Sequence, residues 1–148
     1  MTQRAADQGD PLARIANALE RLAGAPAAMP DWNFAPAYVW DRIGARPVVT
    51  LAAPPLDLLK GIDAQKELVT ANVTRLAAGH AAHDMLLWGS RGMGKSALLR
   101  ASVIAAQAQA PDALALVQVA PDAFAALPRL FGALGAEQRR FLVFIDDL

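Results

Sequence analysis

The run Met85-Leu86-Leu87-Trp88-Gly89-Ser90-Arg91-Gly92-Met93-Gly94-Lys95-Ser96 constrains this chain more than any other. Its apolar opening reads as a strand, Gly-x-x-x-x-Gly-Lys-Ser follows, and the residues after it read as a helix. Strand, glycine-rich turn and helix N-terminus in succession build a seat for an anion. The glycines let the backbone curl so that consecutive N–H groups point inward, and the helix adds unpaired amides and the positive end of its dipole. In such a loop Lys95 reaches the β- and γ-phosphates as a point charge, and Ser96 offers its hydroxyl to Mg²⁺. The expected nucleotide contacts are therefore Gly89, Ser90, Arg91, Gly92, Met93, Gly94, Lys95 and Ser96. By average residue usage the bare pattern arises in roughly one chain in a hundred of this length, and the flanking strand and helix lower that figure.

A second motif lies downstream. Phe141-Leu142-Val143-Phe144-Ile145-Asp146-Asp147 is a hydrophobic strand that ends in acids. Carboxylates at the C-terminal edge of a parallel sheet sit where ligands bind in open α/β folds. Next to a phosphate loop, a carboxylate there is needed to hold Mg²⁺, and Asp146 is assigned that role. Asp147 is the candidate to orient or deprotonate the attacking water. Taken alone the stretch would be a strand ending in a polar turn. Its place about 50 residues after Lys95 favours the metal-binding reading.

The rest of the chain reads as follows. Asp10 and Pro11 open an amphipathic helix with Leu12, Ile15, Ala16, Leu19 and Leu22 at helical spacing, stopped by Gly24. Ala25 to Pro36 is a proline- and alanine-rich linker. Ala37-Tyr38-Val39-Trp40 is an apolar island of core plugs, and Arg46 to Leu51 a strand cut off by Pro54-Pro55. A helix capped by Asp63 carries Leu68, Val69, Val73 and Leu76 on one face and ends at Gly79. From Asp84 onward the alternation is strand 85–88, helix 95–108, strand 113–119, helix 121–135 interrupted by Pro128, and strand 141–145. That order implies a parallel sheet with right-handed crossovers.

Composition excludes several classes. Fourteen basic residues balance 14 acidic ones in a chain of 148 residues, which does not suggest a nucleic-acid or membrane-surface binder. Arg139-Arg140, the only adjacent basic pair, reads as a solvated strand entrance. The absence of cysteine rules out disulfides and cysteine metal sites. His80 and His83 have an i, i+3 spacing but no evident third ligand, and read as loop residues. No signal peptide and no apolar run long enough to span a membrane is visible, so a cytoplasmic protein is expected.

With both motifs in place, the chain resembles the AAA+ ATPases. More narrowly it is similar to a bacterial family catalogued only as an uncharacterised AAA+-type ATP-binding protein. The matching segments are Leu58-Leu59-Lys60-Gly61-Ile62-Asp63-Ala64-Gln65-Lys66, the run Leu86 to Ser96, and Phe144-Ile145-Asp146-Asp147-Leu148. The amphipathic N-terminal helix and Tyr38-Val39-Trp40 also resemble that family. The resemblance implies a P-loop NTPase fold of AAA+ type over residues 54–148, behind an N-terminal helix and linker extension over 1–53. It also implies that Gly61 and Ile62 lie against the adenine, whereas the residues by themselves read equally well as a helix entrance with a buried isoleucine.

The chain departs from the AAA+ pattern at two points. The second acid of the downstream motif is usually glutamate, and Asp147 is one methylene shorter; the narrower family shares this Asp-Asp. An AAA+ module also continues with a sensor strand, an arginine finger and a helical lid. The chain stops at Leu148, and the resemblance places the next strand between the phosphate-loop strand and the 141–145 strand. A truncated product of a protein of about 280 residues is therefore expected, with an incomplete sheet. The expected cofactors are ATP and Mg²⁺; the expected partners beyond them are a second copy of the protein, implied by the arginine finger alone, and a protein partner that the sequence does not identify. The expected function is Mg²⁺-dependent ATP binding, with hydrolysis aided by Lys95 and Asp147 and completed by groups outside this fragment, so the fragment itself is expected to be an inactive or weak enzyme. The alternative is a nucleotide-binding switch or loader with little intrinsic turnover. A small-molecule kinase is disfavoured because a second acid suits water activation. GTP is disfavoured because no Asn/Thr-Lys-x-Asp motif is present.

Overall fold

The computed structural model describes residues 29–90 and 92–146, together with Leu12, Ile15 and Ala18. Its centre is strand β3 (Leu114–Val119), five of whose six residues are buried. A strand apolar on both faces needs cover on both. Strands β1 (Ala37–Trp40) and β4 (Arg140–Ile145) flank it, both parallel to it. β2 (Ala45–Val48) pairs antiparallel with β1, giving the order β2-β1-β3-β4. The fold is α/β as expected, but the sheet is mixed rather than wholly parallel, because a hairpin turn joins β1 to β2.

Side-chain alternation along the strands divides the core. Leu114 and Leu116 face helices α1 (Asp63–Ala77) and α2 (Lys95–Gln109), where they pack with Val69, Val73, Leu98 and Val103. Ala115, Val117 and Val119 face the opposite way. They pack with Tyr38, Trp40 and helix α3 (Leu127–Gly135) through Leu130 and Leu134. β4 feeds both clusters, Leu142 and Phe144 one, Phe141, Val143 and Ile145 the other.

The apolar island 37–40 is thus a strand as well as a core plug, with Tyr38 and Trp40 fully buried. The expected linker contributes too: Trp32 and Ala35 are buried, and the Trp32 ring lies tilted at 4.8 Å from Tyr38 and edge-on at 5.6 Å from Phe141. The Tyr38 hydroxyl donates to the Asp31 carbonyl at 2.7 Å and accepts the Ala35 N–H at 3.0 Å. The strand expected over 46–51 is shorter and shifted, and it holds Pro47, which an edge strand tolerates. Leu12, Ile15 and Ala18 are helical and exposed; Asp10, Pro11 and the remainder of the expected N-terminal helix lie outside the described residues.

The largest departure concerns Met85 to Trp88. These residues form no strand, and Met85, Leu86 and Trp88 are exposed, Trp88 at 89%. Apolarity on both faces suits a central strand, but a strand also needs a neighbour to complete its backbone hydrogen bonds. Here the segment lies across an open cleft from the outer edge of β4.

Smaller departures have local causes. Asp63 is the first helical residue of α1 rather than its cap, and it pairs with Lys66 at 3.1 Å one turn on. Leu68 is 64% exposed, so the buried stripe of α1 is Val69 and Val73, with Leu76 at its margin. Gly79 ends the helix at φ 78°, as expected. Pro128 sits in the first turn of α3, after a 3₁₀ segment over Pro121–Ala126. Arg139 is no solvated entrance: its guanidinium donates to the carbonyls of Ala35 at 2.8 Å, Trp32 at 2.9 Å and Leu114 at 3.1 Å. Among the described residues, no helix is long and apolar enough to cross a membrane.

Candidate functional site

The glycine-rich loop lies at the C-terminal edge of the sheet, between the segment 84–88 and α2. Gly92 and Gly94 adopt φ of 83° and 80°, the left-handed region. At Gly92 nothing lies within 4 Å of a built Cβ, so the backbone angle and not crowding requires glycine there. Gly94 is the N-cap of α2, and no side chain among the described residues caps that terminus. The first-turn amides of α2 are therefore available to an anion.

Ser96 and Asp146, 50 positions apart, meet directly: the Ser96 hydroxyl donates to Asp146 Oδ2 at 2.8 Å. The register of β4 makes this contact. Its parallel pairing with β3 ends at Ile145, and Asp146 follows immediately, on the side of the sheet covered by α2. An adjacent hydroxyl and carboxylate are suitable ligands for a hard divalent cation such as Mg²⁺. Among the described residues no group of three or more His, Asp or Glu could hold a metal. A cation at Ser96 and Asp146 would complete its shell with water and phosphate oxygens.

Lys95 points back onto its own loop. Its ammonium donates to the Gly89 carbonyl at 2.8 Å and to the Ser90 carbonyl at 3.0 Å. A bound phosphate would have to draw the ammonium away from both.

Segment 56–62 borders the same loop. Leu59 Cδ2 lies 4.0 Å from a Cβ built on Gly94. Gly61 is exposed at φ 76°, while Ile62 is half-buried against the α1–α2 cluster. The Lys66 ammonium holds this segment through the carbonyls of Leu59 at 2.8 Å and Leu56 at 3.2 Å. Leu59 is thus the residue of this segment that borders the loop, with Gly61 and Ile62 two and three positions further on. Arg91 and Asp147 lie outside the described residues.

Between segment 82–89 and the outer edge of β4 runs a cleft of about 1100 Å³, walled on one face by Val69, Val73 and Leu76 and holding Lys95 and Asp146 in its lining. His80 and His83 are exposed, and His83 belongs to the cleft's lining. The Asn72 side chain pairs with both backbone groups of His83, donating to its carbonyl at 2.7 Å and accepting its N–H at 2.9 Å. Arg75 Nε donates to the Ala81 carbonyl at 3.1 Å. Sequence reasoning missed Asn72, Arg75 and the clamping role of Lys66. Side chains that bond backbone carbonyls belong to no motif and leave no periodic signal.

The chain belongs to the family described as a protein of unknown function (DUF815), whose profile matches residues 33–148. Comparison with curated proteins and with solved structures found no match.

Proposed function

We propose that this chain binds Mg²⁺–ATP through a P-loop of AAA+ type and that the protein hydrolyses it. The observation that carries the reading is the 2.8 Å hydrogen bond between Ser96 and Asp146. A phosphate loop serves a Mg²⁺–nucleotide only if a carboxylate from a neighbouring strand comes to its Ser/Thr hydroxyl. Here the two motifs, recognised separately in sequence, meet at hydrogen-bonding distance. The cleft beside β4 supports the AAA+ assignment, because the resemblance puts a further strand between the phosphate loop and β4.

In this reading the amides of Gly92 to Ser96 cradle the phosphates. Lys95 exchanges the Gly89 and Ser90 carbonyls for β- and γ-phosphate oxygens. Ser96 and Asp146 are the residues that would hold Mg²⁺, which would supply neutralising charge to the phosphates. Gly61 and Ile62, which follow the Leu59 side chain that borders Gly94, take the adenine. Catalysis then consists of positioning and charge neutralisation, with Asp147 as the group that orients water.

The test is a fluorescent-ATP titration with Mg²⁺ on the 148-residue chain beside its Lys95→Ala variant, with phosphate release followed in the same samples. Loss of charge-assisted hydrogen bonds, each about 1.5–3 kcal/mol, should weaken binding about 10- to 100-fold. Saturable, lysine-dependent binding with phosphate release supports the ATPase. Lysine-dependent binding without release supports the phosphate loop alone, and release that appears only with an added partner favours the nucleotide switch. A chain that is folded by circular dichroism yet shows no saturable binding refutes the nucleotide reading.

A further inference from the structure

We infer that Lys66 is a positioning residue for the nucleoside side of the site, acting by holding segment 56–62; the inference rests on the nucleotide reading above. Phosphates seated at the N-terminus of α2 put the sugar and base outside the glycine-rich loop, against the chain that borders it. Leu59 is the residue of segment 56–62 that does so, with its Cδ2 4.0 Å from a Cβ built on Gly94. What fixes this short stretch therefore sets where Gly61 and Ile62 stand toward a bound base.

The segment has a single turn of 3₁₀ helix (Leu56–Leu58), closed by the Leu59 N–H donating to the Leu56 carbonyl at 3.3 Å. Leu56, Leu59 and Ile62 pack on the α1–α2 core and are half-buried. Lys66 adds the polar tie. Its ammonium donates to the Leu59 carbonyl at 2.8 Å, the Leu56 carbonyl at 3.2 Å and Asp63 Oδ1 at 3.1 Å. An ammonium has three N–H donors and no acceptor, so these oxygens use its whole capacity. The helix itself gives no reason for a cation here. Lys66 stands at the end of the first turn of α1, toward the positive end of the helix dipole, where an acid is favoured and a base is not. The two carbonyls and Asp63 are what hold the charge in place.

The clamp spans the chain reversal at Gly61. That residue has φ 76° and nothing within 4 Å of a Cβ built on it, so its neighbours hold it and not its own contacts. One ammonium joins the carbonyls before Gly61 to the start of α1 after it. Without it, the apolar contacts of Leu56, Leu59 and Ile62 remain, but burial is non-directional and does not fix the reversal. A segment that holds the base-competent arrangement only part of the time lowers the apparent affinity by that fraction. The bonds of the Lys66 ammonium all lie within residues 56–66, so the phosphate half of the site is built without them. The loss must therefore fall on ligands that carry a base and spare those that do not, and that separates positioning from plain stability.

The experiment is calorimetric titration of the full 148-residue chain, in Mg²⁺, with either ATP or inorganic triphosphate. Lys66→Met keeps the aliphatic stem and removes the donors. It should bind ATP about tenfold more weakly than wild type and triphosphate within about twofold of it. Lys66→Gln, which retains one donor group, should show the same selective loss at about threefold, and it decides the matter if Lys66→Met does not fold by circular dichroism. Hydrogen exchange on the wild-type chain gives an arm that needs no variant. The Leu58 and Leu59 amides bond the Pro55 and Leu56 carbonyls, and ATP should slow their exchange while triphosphate does not. Wild-type ATP affinity in a folded Lys66 variant overturns the inference, and so does an equal loss for both ligands or equal protection by both. A wild-type chain that binds triphosphate as tightly as ATP overturns it too, while the phosphate loop stands. A folded wild-type chain that binds neither ligand refutes the nucleotide reading itself, and the inference with it.

Discussion

Arg139 offers the sharpest test of how this fold is held together. Its guanidinium lies among carbonyls rather than beside an acid, donating to Ala35, Trp32 and Leu114 at 2.8–3.1 Å, with a longer contact to Pro111 at 3.4 Å. These acceptors come from the segment before β1, the turn before β3 and the start of β3, so one side chain ties together stretches that are far apart in sequence. Hydrogen bonds from a charged donor are worth about 1.5–3 kcal/mol each when a partner is deleted. The three short bonds do not add in full. Arg139 is half-buried, so water can reach part of what is freed, and its own Nε already lacks a partner. A loss of about 3 kcal/mol is the expected cost of Arg139→Met, which keeps the aliphatic stem.

For a domain of this size that loss corresponds to a drop of about 10 °C in thermal midpoint. The assay is urea and thermal unfolding followed by circular dichroism, with Arg140→Met as control, since Arg140 is exposed. Arg139→Lys should fall between, because a single ammonium cannot present a two-pronged fork. If Arg139→Met lies within about 0.5 kcal/mol of wild type, while Arg140→Met behaves alike, the guanidinium is not a structural tie.

Two further outcomes follow from the described contacts. Val73→Ala should cost about 2–3 kcal/mol by lost burial and cavity formation, whereas Leu68→Ala on the same helix should be nearly neutral in the same urea titration, because Val73 is 1% exposed and Leu68 64%. Asp41 closes the β1–β2 hairpin by accepting the Ile43 and Gly44 amides at 2.9 and 3.1 Å and Arg46 Nε at 3.0 Å. The Gly44 amide first, then Arg46, hold its carboxyl below the usual range against a small opposing effect of burial. Because the folded pKa is the lower one, this stabilisation is present above the ordinary aspartate value of about 3.9 and disappears as pH falls through the folded value. The stability difference between wild type and Asp41→Ala should therefore shrink on acidification through that window, and a pH-independent difference would contradict it.

How much of this was legible in the sequence depended on what each feature needs from the rest of the chain. Gly-x-x-x-x-Gly-Lys-Ser is local: its glycines set the backbone and the helix follows within the same residues, so the glycine turn and α2 could be read directly. That Asp146 stands at a strand end was legible because the apolar run 141–145 leads straight into it. Tyr38 and Trp40 were read as core, but not as a strand. A four-residue run between prolines does not announce that β3 will pair with it. Asn72, Lys66 and Arg139 were illegible in their roles because each bonds a backbone carbonyl, and carbonyls are the same in every sequence.

The misread strand at Met85 to Trp88 and the behaviour of β4 share one physical origin. Both segments have the composition of central strands, apolar on both faces, and both border the same cleft. β4 is still a strand because its inner edge is fully registered with β3 from Leu114↔Arg140 to Val119↔Ile145. Segment 85–88 has no such partner on either side, so its hydrophobicity alone does not make it one. Composition sets which residues seek burial; only pairing turns an extended segment into a strand. Where pairing is absent, position must be set by side chains, and the two carboxamide bonds to His83 together with the Lys95 bonds to Gly89 and Ser90 do this at either end of the lead-in. Among the described residues, the lead-in to the glycine-rich loop is thus held by four side-chain bonds and the packing of Leu87.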